Sequence, residues 1–182
     1  MRILFTVLFA YCAADVLADE LSPYAGEENR SIKSLSESEI RGLQNGEGMG
    51  FARLAELNSY PGPRHVLDLS EELGLNDEQM EQTEALFAEM RRSAIATGAE
   101  IIEAERRLDA RFAAKELEAD SLQAALTELG LLKARLRYVH LEAHLRQRDI
   151  LTDEQIEAYD RLRGYRNGDH EGRENHRHDG HH

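Results

Sequence analysis

Residues 75–79 read LNDEQ and residues 151–155 read LTDEQ, so one chain writes nearly the same five letters twice. In each copy a short polar residue, Asn76 or Thr152, stands where it can accept from the free N–H groups of a first helical turn. Three residues on, Gln79 or Gln155 can reach back to that residue's own backbone N–H. Both pentads are capping boxes, with Asp77, Glu78, Asp153 and Glu154 placed where the helix dipole favours acids. The leucine ahead of each cap, Leu75 or Leu151, suits a hydrophobic staple. The pentads therefore predict two helix starts.

The first opens a long helix. Met80, Thr83, Phe87, Met90, Ala94, Thr97, Ile101, Ala104 and Leu108 recur every three or four residues, a heptad-like seam running from 77 to about 113. Gly98 interrupts it at a cost that the sequence does not explain. The polar run KELEAD (115–120) turns the chain. A second long helix follows over about 121–149, with Leu122, Leu126, Leu129, Leu136, Val139 and Ala143 as its apolar line. LTDEQ opens a short last helix through Ile156, Tyr159 and Leu162, stopped by Gly164. Two long helices joined by a short loop predict an antiparallel hairpin. The fold class is thus all-α, a long helical hairpin with short flanking helices. So thin a structure buries more in a homodimer.

Upstream, all three prolines precede residue 64, which leaves the rest of the chain free for long helices. Residues 19–35 are polar and read as mobile. Short helices are expected from Ser36 and around residues 51–57, interrupted by NGEGMG (45–50) and NSYPGP (58–63). Pro63 suits the first turn of a further helix, which Gly74 ends. Residues 1–18 read as a signal peptide. Arg2 supplies the positive end, residues 3–14 form an apolar run too short to span a bilayer, and Val16 and Ala18 precede a cut before Asp19. The single cysteine, Cys12, leaves with that segment, so the mature chain holds no thiol. The expected organisation is a signal at 1–18, a flexible segment with short helices at 19–62, a helical domain at 63–165 and a histidine-rich, disordered tail at 166–182. Export through such a signal implies a periplasmic location, without membrane insertion once it is removed.

The two boxes, each opening a helix around a long hairpin behind a signal peptide, resemble the Spy/CpxP family of periplasmic LTxxQ-motif proteins. The resemblance covers residues 64–165. Leu75 and Gln79 match the first box and Leu151, Thr152 and Gln155 the second; Asn76 replaces the usual threonine but caps at least as well. The resemblance implies a cradle-shaped, all-helical dimer. It also implies one of three roles: an ATP-independent chaperone of unfolded or misfolded periplasmic proteins in envelope stress, an inhibitor of a sensor kinase, or a metal-responsive protein.

The formal net charge of −13 argues against a nucleic-acid partner. No phosphate loop, nucleophile elbow or supported carboxylate pair is present, so no enzyme is expected. No cofactor is required. Five of the eight histidines, His170, His176, His178, His181 and His182, lie in the last thirteen residues. Clustered imidazoles suit Zn²⁺ or Cu²⁺, and Asp169, Glu171, Glu174 and Asp179 could add oxygen ligands. His140 and His144, spaced i, i+4, share a helix face and form a second candidate pair. Helical geometry alone places them first as a polar flank of the hairpin seam. Leu141 stands where a zinc protease has glutamate, which excludes that chemistry. Met49, Met80 and Met90 form no methionine-rich copper motif, and Met80 and Met90 are expected in the core. Arg135, Arg137, Arg146, Arg148 and Lys133 are expected to pair with the acidic first long helix, or to attract acidic clients.

Overall fold

The computed structural model describes residues 22–165. The signal-type segment 1–18 and the histidine-rich segment 166–182 lie outside the described residues. Six α-helices follow a 3₁₀ turn: α1 (Glu37–Asn45), α2 (Arg53–Glu56), α3 (Pro63–Asp68), α4 (Asp77–Ala114), α5 (Ala119–Ile150) and α6 (Asp153–Leu162). No strand occurs among the described residues.

Helices α4 and α5 form the antiparallel hairpin. At 1.5 Å per residue they are about 57 and 48 Å long. Lys115, in the left-handed region at φ 58, caps α4 and turns the chain. Ion pairs cross between the two helices: Arg107 to Glu128 at 2.7 Å, Arg135 to Glu100 at 3.5 Å and Arg146 to Glu89 at 3.0 Å. All three are exposed, so they fix register more than they add stability. Glu105 differs. It is buried, pairs with Lys133 at 2.9 Å and accepts the Ser34 hydroxyl at 2.8 Å. Part of the basic run on α5 therefore does meet the acidic helix.

Most of the expected seam is inside. Thr83, Ala94, Thr97, Ile101, Ala104, Leu129, Leu136 and Ala143 are buried. Leu126 is a correction: it is 52% exposed, because α5 has turned that position away from α4 near the hairpin tip. A second correction concerns the stretch read as mobile. Ile32 and Leu35 lie in the main core with Leu43, Ala94, Ile101 and Leu136. The hairpin alone offers one thin seam, and this lead-in supplies the second layer that covers it.

Gly98 now has a reason. A Cβ there would stand 2.4 Å from the Leu43 carbonyl oxygen. The absent side chain lets the end of α1 lie directly on α4 and carry Leu43 into the core.

Both capping boxes form. Asn76 Oδ1 accepts from the Gln79 N–H at 2.8 Å, and Thr152 Oγ1 from the Gln155 N–H at 3.2 Å. Each glutamine carbonyl accepts from its own N-cap N–H, at 3.2 and 3.0 Å. The two glutamines then bond to each other. Gln79 Nε2 donates to Gln155 Oε1 at 2.8 Å, and Gln155 Nε2 to Gln79 Oε1 at 3.1 Å. Their second N–H groups reach the backbone ahead of the opposite box, at Ile150 O (2.9 Å) and Leu73 O (3.3 Å). Both amides thus use two donors and both acceptor positions. The repeated pentad is a two-sided clasp that closes the open end of the hairpin. A small core of Val66, Leu73, Leu151, Ile156 and Tyr159 packs beside it.

Candidate functional site

The stretch between α1 and α3 crosses α5 and covers His140 and His144. The glycine-rich turn after α1, with Gly46 and Gly50 at positive φ, brings Phe51 back onto the hairpin. The Phe51 ring stacks on His140, centroids 6.0 Å apart at 15°. Tyr60 O lies 2.8 Å from His144 Nδ1. A carbonyl only accepts, so Nδ1 carries the proton and Nε2 is left as the basic nitrogen. Both imidazoles are buried, which corrects the reading of the pair as a polar flank of the α4 seam. They face the chain ahead of α3 instead, and no local periodicity predicts that neighbour. His140 Nε2 has no hydrogen-bond partner among the described residues. Burial first, and the neighbouring His144 second, push the His140 pKa below its ordinary value.

Gly62 sits between His144 and Glu56. A Cβ at this position would be 2.8 Å from both Glu56 Oε1 and His144 Cε1. Glu56 is held from below. The Tyr159 hydroxyl lies 2.8 and 3.0 Å from its two oxygens, and the Tyr165 hydroxyl 3.2 Å from Oε2. Burial, then the Glu56 charge, drive the Tyr159 pKa upward, so Tyr159 stays a donor. Nearby, Ser59 donates to Asp160 Oδ2 at 2.6 Å. Glu56, Tyr60, Gly62 and Tyr159 are the residues that sequence reasoning missed. Only the PGP turn hinted that backbone comes close here.

Beside this cluster opens a cavity of about 480 Å³, within the usual range for small ligands. Phe87 and Met90 contribute apolar wall, and Arg53, Arg64, Arg91 and His65 line it with positive or ionisable groups. Arg64 pairs with Asp68, whereas Arg53 and Arg91 carry no ion pair among the described residues. Burial and the nearby Arg163 lower the His65 pKa. His140 and His144 offer two imidazoles. Among the described residues no group of three or more His, Cys, Asp or Glu is arranged to hold a metal ion. The predicted tail ligands His170, His176, His178, His181 and His182 lie outside the described residues. The six motif residues of the two pentads hold structure, as their capping role requires.

A second feature lies on the other side of α5. Leu131 (68% exposed), Tyr138 (60%) and Leu145 (55%) face solvent. With exposed Ala134 and half-buried Leu141 they step by three and four, opposite the line formed by Leu129, Leu136 and Ala143. Arg135 and Arg137 flank this stripe. α5 therefore carries a second apolar face, one that no other described element covers.

Set against models of known protein families, curated proteins and solved structures, the chain matches none. No described helix is long and apolar enough to cross a membrane.

Proposed function

We propose that this chain is a periplasmic Spy/CpxP-like, ATP-independent chaperone that works as a cradle-shaped homodimer. The exposed stripe Leu131, Ala134, Tyr138, Leu141 and Leu145 carries this reading. Contiguous exposed apolar surface marks interaction sites. Arginines beside it suit clients that are apolar and locally acidic. Binding on an open helix face needs no fuel for release. A dimer sets two such faces in one particle and adds the burial that a thin hairpin lacks.

The test is client aggregation followed by light scattering, with mature protein 19–182 in chelator. Protection at near-stoichiometric ratios is expected. The triple variant Leu131→Ser, Tyr138→Ser, Leu145→Ser should lose it while keeping its helicity. Sedimentation of the same variant separates two causes. A dimer that falls to monomer assigns the stripe to self-association and removes the observation behind the chaperone reading.

A second reading, metal response, is favoured by the histidine pair. A metal-binding histidine commonly has its other ring nitrogen fixed by a carbonyl; His144 has that arrangement through Tyr60, and His140 Nε2 lacks any partner. Zn²⁺ should raise the thermal midpoint of the mature chain by mass action, with a smaller rise in His144→Ala. No rise in either removes this reading.

A further inference from the structure

The cavity beside His140 and His144 holds opposite charges set close together and not paired with each other. Arg53 and Glu56 stand three residues apart on α2, and both line it. Groups at that spacing are neighbours on a helix face. Among the described residues no ion pair joins them. Glu56 accepts instead from the hydroxyls of Tyr159 and Tyr165, which use two of a carboxylate's roughly four acceptor positions. Arg91 directs its Nε–H to Asn45 O at 3.2 Å, and its terminal nitrogens have no partner among the described residues.

Buried acceptors lie at the same place. The His144 ring is more than nine-tenths buried, its Nδ1–H goes to Tyr60 O, and its Nε2 has no partner among the described residues. Leaving such a buried acceptor empty is costly. Gly62 keeps open the gap between this nitrogen and Glu56. A Cβ there would stand 2.8 Å from Glu56 Oε1 and 3.1 Å from His144 Nε2. The two acceptors are therefore within about 6 Å of each other, a span that one donor nitrogen bridges at ~3 Å from each. Phe87 and Met90, both half-buried on α4, give the cavity its apolar wall.

A simple anion would meet Glu56 and Glu47 here, and a simple cation would meet Arg53, Arg64 and Arg91. A molecule with both charges on adjacent atoms meets neither penalty. We infer that this cavity binds a free α-amino acid whose side chain is apolar and ring-sized. Its ammonium group lies between Glu56 and His144 Nε2, its carboxylate pairs with Arg53 and Arg91, and its side chain packs on Phe87 and Met90. The cavity, at about 480 Å³, has room for such a ligand. The inference rests on neither the exposed stripe of α5 nor metal response, and it stands or falls separately from both.

The probe is L-phenylalanine, titrated in chelator into the ¹⁵N-labelled mature chain with the Gly62 amide as reporter. A saturable shift is expected, and none through the millimolar range would overturn the inference. Two analogues each lack one pole. L-phenylalaninamide, which mimics the first residue of a peptide, has no carboxylate, and 3-phenylpropanoate has no ammonium. Hydrogen bonds between charged groups are strong enough that either loss should weaken binding by about 10-fold or more. An analogue that binds as tightly as L-phenylalanine would overturn the two-pole pairing. Arg53 is exposed, so Arg53→Gln should leave the Tm of the free chain unchanged while weakening L-phenylalanine by about 10-fold. Undiminished affinity in that variant would overturn the placement of the carboxylate.

Discussion

Gly98→Ala tests the packing argument at its tightest point. In a free helix this change is favourable by about 1 kcal/mol, because alanine is the better helix former. Here the new Cβ would sit 2.4 Å from the Leu43 carbonyl oxygen and 3.0 Å from its carbonyl carbon. Ordinary contact begins near 3.4 Å, so α1 must retreat by about 1 Å. The neighbour is backbone, so no side chain can rotate away. Overpacking of this kind costs about 1–3 kcal/mol, and a backbone clash belongs near the upper end. The net expectation is a loss of about 1–2 kcal/mol, or a fall in Tm of roughly 3–6 °C. Gly130→Ala is the internal control. It lies in α5 with nothing within 4 Å of the added Cβ, so it should raise stability by about 0.5–1 kcal/mol. Urea unfolding followed by far-ultraviolet circular dichroism reads both. Opposite signs support the close approach of α1. A stabilised Gly98→Ala would refute it.

Three further outcomes are expected. Gln79→Ala and Gln155→Ala should each cost about 1–3 kcal/mol by stranding the other amide, and the double variant should cost less than their sum by at least ~0.5 kcal/mol; strict additivity in urea unfolding would deny the clasp. Leu136→Ala should cost about 2–4 kcal/mol, whereas exposed Leu126→Ala should stay within roughly 0.5 kcal/mol; equal effects would restore Leu126 to the seam. Ser36→Ala should cost about 1 kcal/mol at neutral pH through loss of the α1 cap. The Ser36 hydroxyl holds the Glu39 pKa below its ordinary 4.5. That contribution is complete above pH 4.5 and disappears as pH falls through the lower folded value. The difference between variant and wild type should therefore narrow in acid to what the bond from the Glu39 N–H to Ser36 Oγ alone supplies, and a constant difference would exclude the Glu39 carboxylate.

The elements were legible because their signals are local. Asn76 and Gln79 announce α4 within four residues, and Thr152 and Gln155 do the same for α6. The 3–4 spacing of Ala94, Thr97 and Ile101 exposes the buried side of α4 without knowledge of its partner. Contacts far apart in sequence were not legible. Nothing near Gln79 says that its amide will meet Gln155. Gly98 looks like a defect until Leu43 lies on it. His140 and His144 show their shared face, yet what covers them depends on where Phe51 and Tyr60 travel. The stripe Leu131, Tyr138 and Leu145 escaped because α5 carries two apolar faces, and the inner one absorbed the pattern.

The paired glutamines also govern how this molecule opens. Each amide satisfies the cap of its own helix and the backbone ahead of the other, so neither helix start can fray without stranding polar groups at both. The first turns of α4 and α6 then behave as one cooperative unit, although they are far apart in sequence. In native-state hydrogen exchange their amides should share one opening free energy. The hairpin tip near Lys115 holds no such amide pair among the described residues and should exchange by a separate, cheaper opening. The chain thus has a slow end and a fast end, and two matching pentads decide which is which.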